Sequence, residues 1–458
     1  MSRHALRPAL ADLWTVAERR AAAAGQPVLL SWSDTSEPAD PIALFTRSSE
    51  TIRLLWYAPA IGEAVVGLGG RRLPIATGAA AAGTVPERLA RVWRTAAAEA
   101  LQEGPLAPLV FAGWAFDPHQ PGDAPDWASF GAAQLLVPRF VYRQRGALAF
   151  QALQAIVRPG ETMPPSPPAS RPVGRPDSQT GQPRIVTRRE LVSRNDWQRL
   201  LATALAAIDQ GTLRKVVLAR AVDLVADRPF DEERTLRSLA ERYPNCTLFA
   251  VGLGPSIFLG ATPERLARVT AGTVTTVALA GSIPRGADAA SDRSTVAVLR
   301  TSAKDRSEHE LVVQAIEQAL APLCTRLSVP DAPVVLSMAN VHHLATPIVG
   351  VLRDGLGVLD VAARLHPTPA VGGTPRETAL AFIRAHEPVP RGWYAGAFGW
   401  VEATGDGELV VALRSGLLRG STARLYAGCG IVAGSDPLTE WTEAEAKLRP
   451  MLEALAGS

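Results

Sequence analysis

The strongest constraint on the fold is a series of short apolar segments that follow one another across tight turns. Segments such as "CTLFAVGL", "SIFLGATP" and "LARVTAGTVTTVAL" are typical of strands. Short turns join antiparallel neighbours, because parallel strands need a longer crossover, usually a helix. The pattern therefore predicts antiparallel sheets. Further strands are expected at "LRKVVLARAVDL", "GAFGWVEA", "ELVVALRSGLL" and "ARLYAGCGIV".

Helices are expected to cover these sheets. Apolar residues recur at helical spacing in "NDWQRLLATALAAIDQG", which ends at a glycine suited to a helix C-terminus. The same spacing predicts helices over 292–302, 304–323 and 375–386, and from 440 onward.

Composition divides the chain into three regions. Residues 1–158 are strand-rich, and "VYRQRGALAFQALQAIV" within them is typical of two strands around Gly146. Residues 159–184 are rich in proline and polar side chains that cannot form a core, so we interpret them as an exposed linker. Residues 185–458 carry the mixed helix and strand pattern. The strands of the first region either form a separate domain or share sheets with the last region, and we expect shared sheets.

Charge and composition favour a small-molecule partner. The net charge is +3, and lysine and arginine are scattered among acidic residues, so neither nucleic acid nor an anionic membrane is indicated. No apolar run is long enough to span a membrane, and residues 1–25 resemble an amphipathic helix rather than a signal peptide. Cys246, Cys324 and Cys429 are far apart, which argues against disulfides or a zinc site and fits a reducing cytoplasm.

A glycine-rich segment overlaps the end of the last predicted strand. Gly428, Gly430 and Gly434 form a GxGxxxG pattern, which we interpret as a turn. No Walker lysine follows and the spacing differs from the dinucleotide fingerprint, so a nucleotide site is not expected. The backbone N–H groups of Gly428 and Gly430 could still receive an anionic group of a substrate.

Acidic residues on two predicted helices are candidate metal ligands. Glu440 and Glu443 lie three residues apart and therefore on one helix face, with Lys447 four residues further on. A solvated helix face with an ion pair is the simpler explanation. Glu308, however, lies on a second helix that faces a core, and carboxylates that meet there need a cation. Oxygen ligands alone suit Mg²⁺, which often shares its coordination shell with a substrate anion.

Two basic residues interrupt apolar strands. Arg414 in "VVALRSGL" either points out of a half-buried sheet or pairs with a carboxylate through both arms of its guanidinium. Lys215 in "RKVVLAR" either extends to the surface or is buried, and burial lowers the pKa of a lysine and so provides a base.

A series of motifs in this order resembles the chorismate-utilising enzymes. They are "KVVLAR", "FLGATPERL", "ALAGS", "KDRSEHELVV", "VHHLATPIVG", "LHPTPAVGGTPRETAL", "YAGAFGW", "VALRSGLL" and "AGCGIVAGSDPLTEWTEAEAKL". The resemblance covers residues 197–448. This family contains isochorismate synthases, salicylate synthases, anthranilate synthase large subunits and aminodeoxychorismate synthases. It implies an α+β fold with two layered antiparallel β-sheets flanked by helices, one Mg²⁺ and chorismate as substrate.

The resemblance assigns the catalytic positions. Lys215 matches the base that activates the nucleophile. The ammonia-using members of the family carry glutamine at this position, so the resemblance implies that the lysine here activates water. Glu264 matches the general acid, and burial of a carboxyl suits that role because it raises the pKa. Taken alone, Glu264 could equally pair with Arg265 or Arg268.

Residues 279–282 separate the branches of the family by resemblance. A covalent aminodeoxychorismate synthase would carry a nucleophilic lysine where this chain has Ala280. Leu279 differs from the isoleucine of anthranilate synthases, and Ser282 retains the hydroxyl of the usual threonine. These residues favour the water-using branch.

The resemblance also implies the remaining site residues. Tyr394 and Arg414 match positions that bind the enolpyruvyl carboxylate, and His343 matches the active-site histidine. His342 stands where glutamine is usual and receives no role, since neighbours on a strand point to opposite faces. The predicted substrate-binding residues are Ala280, Gly281, Ser282, His343, Thr346, Tyr394, Arg414, Gly428, Gly430 and Lys447, and the predicted Mg²⁺ ligands are Glu308, Glu440 and Glu443.

The expected activity is therefore the Mg²⁺-dependent isomerisation of chorismate to isochorismate. The alternative is a salicylate synthase, which would go on to eliminate pyruvate, and a third possibility is a catalytically silent chorismate-binding protein. No glutamine amidotransferase partner is expected, because water needs no ammonia channel. The product could serve menaquinone, siderophore or salicylate biosynthesis, and the sequence does not distinguish these pathways.

Overall fold

Runs of consecutive strands are separated by one or two helices along the chain. The computed structural model describes residues 3–75, 83–120, 122, 126–163, 182–337 and 341–456. The helices are α1 (Arg3–Ala24), α2 (Pro41–Thr46), α3 (Val85–Ala98), α4 (Arg194–Asp209), α5 (Glu232–Arg242), α6 (Ala289–Thr301), α7 (Ala303–Leu320), α8 (Val358–Leu365), α9 (Arg376–His386) and α10 (Pro437–Ala456). None of the helices in these residues is long and apolar enough to cross a membrane.

The strands are mostly short. They are β1 (Val28–Ser36), β2 (Ile52–Ala58), β3 (Glu63–Leu68), β4 (Arg71–Arg72), β5 (Leu101–Glu103), β6 (Leu109–Trp114), β7 (Ala133–Val137), β8 (Phe140–Arg145), β9 (Leu148–Val157), β10 (Ile185–Glu190), β11 (Lys215–Ala226), β12 (Thr247–Leu253), β13 (Ser256–Thr262), β14 (Arg265–Thr270), β15 (Thr273–Pro284), β16 (Cys324–Ser328), β17 (Val334–Ser337), β18 (Val341–Leu352), β19 (Gly373–Thr374), β20 (Ala397–Glu402), β21 (Gly407–Val411), β22 (Ser415–Arg419) and β23 (Thr422–Ile431).

Local sequence signals explain many of these boundaries. The Ser193 side chain accepts a hydrogen bond from the backbone N–H of Asp196 and so caps the start of α4. The Asp231 side chain caps α5 in the same way, through the N–H of Arg234. Gly146 has a φ of +60° in the turn between β8 and β9, as the predicted hairpin requires.

The strands form two sheets. The first has the order β10-β11-β23-β22-β13-β12-β2-β3-β8-β9-β1-β5, with β19 beside β11. The second has the order β16-β18-β15-β14-β21-β20-β6-β7-β4, with β17 beside β18. Apart from the parallel pair of β1 and β5, the strand pairs of the described residues are antiparallel.

Strands from both ends of the chain contribute to each sheet. In the first sheet β2 pairs with β12, and in the second sheet β6 pairs with β20. Of the linker predicted at 159–184, residues 164–181 lie outside the described residues.

Aromatic side chains fill the space between the sheets. Phe249 of the first sheet contacts Phe398 of the second, with ring centroids 6.1 Å apart, and Trp56 meets Trp400 edge to face at the same separation. Phe111 is fully buried and stacks on Phe398 at 5.7 Å. The sheets therefore pack face to face around one aromatic core, and the predicted layered α+β fold is confirmed.

One predicted strand is wrong in detail. The segment "ELVVALRSGLL" is not a single strand, because β21 belongs to the second sheet and β22 to the first. The chain leaves one sheet for the other between them, at residues 412–414. Apolar periodicity cannot reveal this crossing, since the residues on both sides of it are buried.

Phe111→Ala should destabilise the whole protein by about 3–5 kcal/mol, since it removes a buried ring and leaves a cavity between strands from the two ends of the chain. We expect one cooperative unfolding transition at a lower midpoint in urea. The exposed Leu148 is the control, and Leu148→Ala should change the free energy of unfolding by about 0.5 kcal/mol or less. A transition confined to one part of the chain would contradict the shared core.

Candidate active site

The candidate site lies where two chain segments cross between the sheets. Glu264 lies between β13 of the first sheet and β14 of the second, and Arg414 lies between β21 and β22. The crossings are hydrogen-bonded to each other's strands. Val411 N–H donates to the Glu264 carbonyl at 3.0 Å, and Ala261 N–H donates to the Arg414 carbonyl at 3.3 Å. The backbone thus fixes both residues in the gap between the sheets.

A cavity of about 240 Å³ opens at these crossings. It brings together residues from both sheets and from α7 and α10. All the predicted site residues except Thr346 line it: Lys215, Glu264, Ala280, Gly281, Ser282, Glu308, His343, Tyr394, Arg414, Gly428, Gly430, Glu440, Glu443 and Lys447.

Lys215 is a buried side chain at the start of β11. Its side chain is 1% exposed, and its Nζ donates to Glu308 Oε1 at 2.7 Å. A β-carbon at Gly430 would lie 2.7 Å from this Glu308 oxygen and 2.9 Å from Lys215 Cε. A larger residue at position 430 would therefore displace the pair.

Two glycines of the GxGxxxG pattern belong to the strand predicted at "ARLYAGCGIV" and not to a turn. Gly428 and Gly430 lie within β23 and face β11 in register with Ala219 and Val217. A β-carbon at Gly428 would lie 2.7 Å from the Leu218 carbonyl oxygen. Glycine is therefore needed here for space, which a GxGxxxG pattern does not distinguish from a need for turn geometry.

Glu264 lines the cavity as a carboxyl that holds its proton. Burial raises the pKa of Glu264 to about 7. The positive charges that oppose this rise belong to Arg414, Lys215 and Lys447. The carboxyl can therefore donate a proton near neutral pH, and Lys215 is close enough to affect its pKa.

A β-bulge at Gly281 shapes the neighbouring wall of the cavity. The pairing of β15 with β18 shifts register between Ala280 and Ser282, where Gly281 has a φ of +73°. A β-carbon at Gly281 would lie 3.0 Å from both Cβ and the carbonyl oxygen of Asp305. The bulge leaves Ser282 opposite His343, and both line the cavity.

The two adjacent histidines have different surroundings, as the strand geometry predicts. Burial, together with the positive charges of Arg414 and Lys447, lowers the pKa of His343 to about 3, so its imidazole is neutral. The His342 ring lies outside the cavity lining and contacts Asp292 Oδ1 through Nε2 at 2.9 Å. His342 therefore secures α6 to β18.

Thr346 does not line the cavity. It is buried, and its Oγ1 lies 2.7 Å from His309 Nε2, while His309 Nδ1 lies 3.2 Å from the Ala280 carbonyl oxygen. In this arrangement Thr346 supports the cavity wall through His309. His309 was not singled out from the sequence, because its two contacts come from β15 and β18, far along the chain.

Arg414 and Tyr394 offer polar groups that the protein leaves free. Arg414 has a φ of +50°, and no carboxylate of the described residues lies within ion-pairing distance of its guanidinium. The Tyr394 hydroxyl has no hydrogen-bond partner among those residues, while its ring stacks on Tyr426 at 5.2 Å. Strained backbone around an unpaired cation is typical of a ligand site.

Three carboxylates in the cavity have the chemistry of Mg²⁺ ligands. Each contacts a lysine in this structure: Glu308 contacts Lys215 at 2.7 Å, Glu440 contacts Lys304 at 3.5 Å and Glu443 contacts Lys447 at 2.5 Å. The described residues contain no cluster of three His, Cys, Asp or Glu side chains already close enough to hold a metal.

Charge repulsion between Glu440 and Glu443 favours the binding of a cation between them. Glu440 is 2% exposed, and burial together with the negative charge of Glu443 raises the pKa of Glu440. A divalent cation between them would relieve this repulsion, and oxygen-only ligands suit Mg²⁺. The donors therefore fit the metal.

The cavity also includes residues that the sequence analysis missed. Lys304 lies one helical turn before Glu308, so the i,i+4 spacing could have revealed it. Arg391, Asp305, Cys429 and Thr439 line the cavity as well, and no local pattern distinguishes them.

Comparison with known proteins assigns the family. The family described as chorismate binding enzyme matches residues 16–456. The chain belongs to this family. It is 35% identical over 443 residues to isochorismate synthase MenF of Bacillus subtilis, covering 94% of each chain.

Two further relatives agree with this family assignment. The salicylate biosynthesis isochorismate synthase of Pseudomonas aeruginosa is 37% identical over 458 residues, covering 95% of this chain and 92% of the relative. The structure of MenF, the menaquinone-specific isochorismate synthase of Escherichia coli, superposes with a TM-score of 0.76 at 26% identity, covering 97% of this chain and 99% of that one. The predicted chorismate-utilising family is confirmed.

The raised pKa of Glu264 predicts a pH-dependent stability difference from Glu264→Gln. The pKa rises on folding from 4.5 to about 7, so the neutral carboxyl favours the folded state fully below about pH 4.5, and this advantage is lost as the pH rises through about 7. The melting temperature of wild type minus that of the variant should therefore fall over this range and level off above it. Thermal unfolding of both proteins in the same buffers would measure this difference, and a constant value would contradict the raised pKa.

Proposed function

We propose that this chorismate-binding enzyme is an isochorismate synthase. The observation that carries the proposal is that Lys215 and Glu264 open into one cavity, the first as a buried amine and the second as a carboxyl protonated near neutral pH. Addition of water at C2 with loss of the C4 hydroxyl needs one base and one acid, and these two residues can supply both. The names of the relatives agree with this activity.

Lys215 and Glu264 have complementary proton-transfer roles. Lys215 takes a proton from water as its oxygen bonds to C2, the ring double bonds shift, and the C4–O bond breaks. Glu264 gives its proton to the departing hydroxyl, which leaves as water. One water is consumed and one is released, so the reaction is an isomerisation, and each proton transfer contributes about 10²–10⁴-fold to the rate. Before it can take this proton, the amine must break its 2.7 Å hydrogen bond to Glu308.

The remaining polar groups bind the two carboxylates of the substrate. The unpaired guanidinium of Arg414 and the Tyr394 hydroxyl receive the enolpyruvyl carboxylate, and the two arms of the guanidinium orient it. The neutral imidazole of His343 adds no charge near the ring. Ser282 and Lys447 complete the polar lining, while Ala280, Gly281, Gly428 and Gly430 leave space for the substrate.

Mg²⁺ held by Glu308, Glu440 and Glu443 would supply positive charge to the ring carboxylate. The proposal includes a cytoplasmic location and action without a glutamine amidotransferase, because the base position carries lysine and not the glutamine of ammonia-using relatives.

Purified protein incubated with chorismate and Mg²⁺ should form isochorismate, identified by chromatography against a standard. Chelation of the metal should abolish turnover, and added Mg²⁺ should restore it. Isochorismate without released pyruvate supports the proposal. Salicylate together with an equal amount of pyruvate would instead identify a salicylate synthase, and binding of chorismate without any product would identify a silent binding protein.

Lys215→Ala should lower kcat by about 10²–10⁴-fold while chorismate still binds, since the base is lost and the carboxylate-binding groups remain. Steady-state kinetics and calorimetric binding would measure the two effects. Lys215→Arg is the matched control, because arginine keeps the charge beside Glu308 but stays protonated. Turnover retained in Lys215→Arg would show that this position acts through its charge and not as a base.

A further inference from the structure

The strand that carries Lys215 has a gap along one edge. On the side of β11 away from β23, β19 pairs with Lys215 and Val216, and β10 begins to pair only at Val222. Between these two short strands, backbone groups of β11 need other partners, because buried N–H and C=O groups are costly when unpaired. Val217 N–H donates to the Gly372 carbonyl at 2.9 Å, and the Ala221 carbonyl accepts from Leu191 N–H at 3.0 Å. The Val217 carbonyl and the Ala219 N–H lie between these two bonds.

Two side chains bind these two backbone groups, where no strand of the described residues is paired. Ala219 N–H donates to Glu387 Oε1 at 2.8 Å, and the Val217 carbonyl accepts from Arg391 Nη2 at 2.7 Å. The same arginine donates through Nη1 to the Val371 carbonyl at 2.8 Å. Val217 and Val371 both line the cavity, so the pair holds two parts of its wall.

Glu387 and Arg391 form a rigid unit. Arg391 donates through Nε to Glu387 Oε2 at 2.8 Å and through Nη2 to Oε1 at 2.5 Å, so the two side chains are bonded at two points. They are 4% and 3% exposed respectively, and the guanidinium lies 4.1 Å from the ring centroid of Phe116. Two-point pairing and stacking leave this arginine little freedom to rotate.

We propose that the Glu387–Arg391 pair is a positioning pair for Lys215, an inference that rests on the proposed function. Lys215 lies two residues before Val217, so both side chains project from the same face of β11 into the cavity. The pair fixes the strand edge just beyond the catalytic amine, and a displacement of about 1 Å in such a group can cost about 10²-fold in rate.

The two arginines of the cavity wall therefore have different roles. Four of the five N–H donors of Arg391 have acceptors among the described residues. Two donate to the Glu387 carboxylate, one to the Val217 carbonyl and one to the Val371 carbonyl. The guanidinium of Arg414 has no carboxylate partner there and is free to meet the substrate. Arg391 acts through the backbone, and loss of its partner should alter kcat rather than substrate binding.

The test compares Glu387→Gln with Glu402→Gln. Glu402 belongs to another buried ion pair, with Arg143, and lies outside the cavity lining. Both variants should lower the melting temperature. Only Glu387→Gln should also lower kcat, by about 10²-fold, with KM for chorismate changed by no more than about threefold. Arg391→Lys, which keeps the charge but lacks the fork, should give the same loss.

Hydrogen exchange separates this proposal from the proposed function. Amides of residues 215–221 should exchange faster in Glu387→Gln and Arg391→Lys than in wild type, and should be unchanged in Glu402→Gln. If the wild type forms no isochorismate, the proposed function fails, while the exchange data still test the pair. Unchanged exchange in this segment, full kcat in both variants of the pair, or a rise in KM with kcat retained would each overturn the inference.

Discussion

The site depends on the passage of the chain from one sheet to the other at two adjacent points. A strand within a sheet has its backbone groups paired by its neighbours, and this pairing ends where the chain leaves the sheet. Here the two crossings compensate each other, since Val411 bonds to the Glu264 carbonyl and Ala261 bonds to the Arg414 carbonyl. These bonds pair backbone groups where the chain leaves each sheet, so the acid and the free cation of the cavity are fixed by main-chain contacts.

Burial in this cavity shifts the pKa of its acid and the pKa of its imidazole in opposite directions. It raises the pKa of Glu264 to about 7 and lowers that of His343 to about 3, since the charged form is disfavoured in both cases. Both groups are therefore neutral between about pH 3 and pH 7. The three glutamates each contact a lysine, and Arg414, which has no carboxylate partner among the described residues, offers its positive charge to an anionic substrate.

Much of the site could be predicted because its residues belong to short sequence motifs. The positions of Lys215, Glu264 and Arg414 followed from resemblance, and the structure places all three around one cavity. The errors occurred where a local pattern has two explanations. The GxGxxxG pattern suggested a turn, but Gly428 and Gly430 belong to the strand predicted for the same segment and provide space within it. The apolar run around Arg414 suggested one strand but spans two sheets.

The sequence by itself determined the strand-rich antiparallel architecture, the family and the residue types that carry the chemistry, because hydrophobic periodicity and motifs are local properties of the chain. Only the tertiary structure decided how strands from the two ends combine, that His309 and Thr346 support the cavity wall, and that Glu387 and Arg391 complete the edge of β11. Those contacts join residues far apart along the chain, and their strength comes from burial and mutual geometry, which exist only once the sheets have packed.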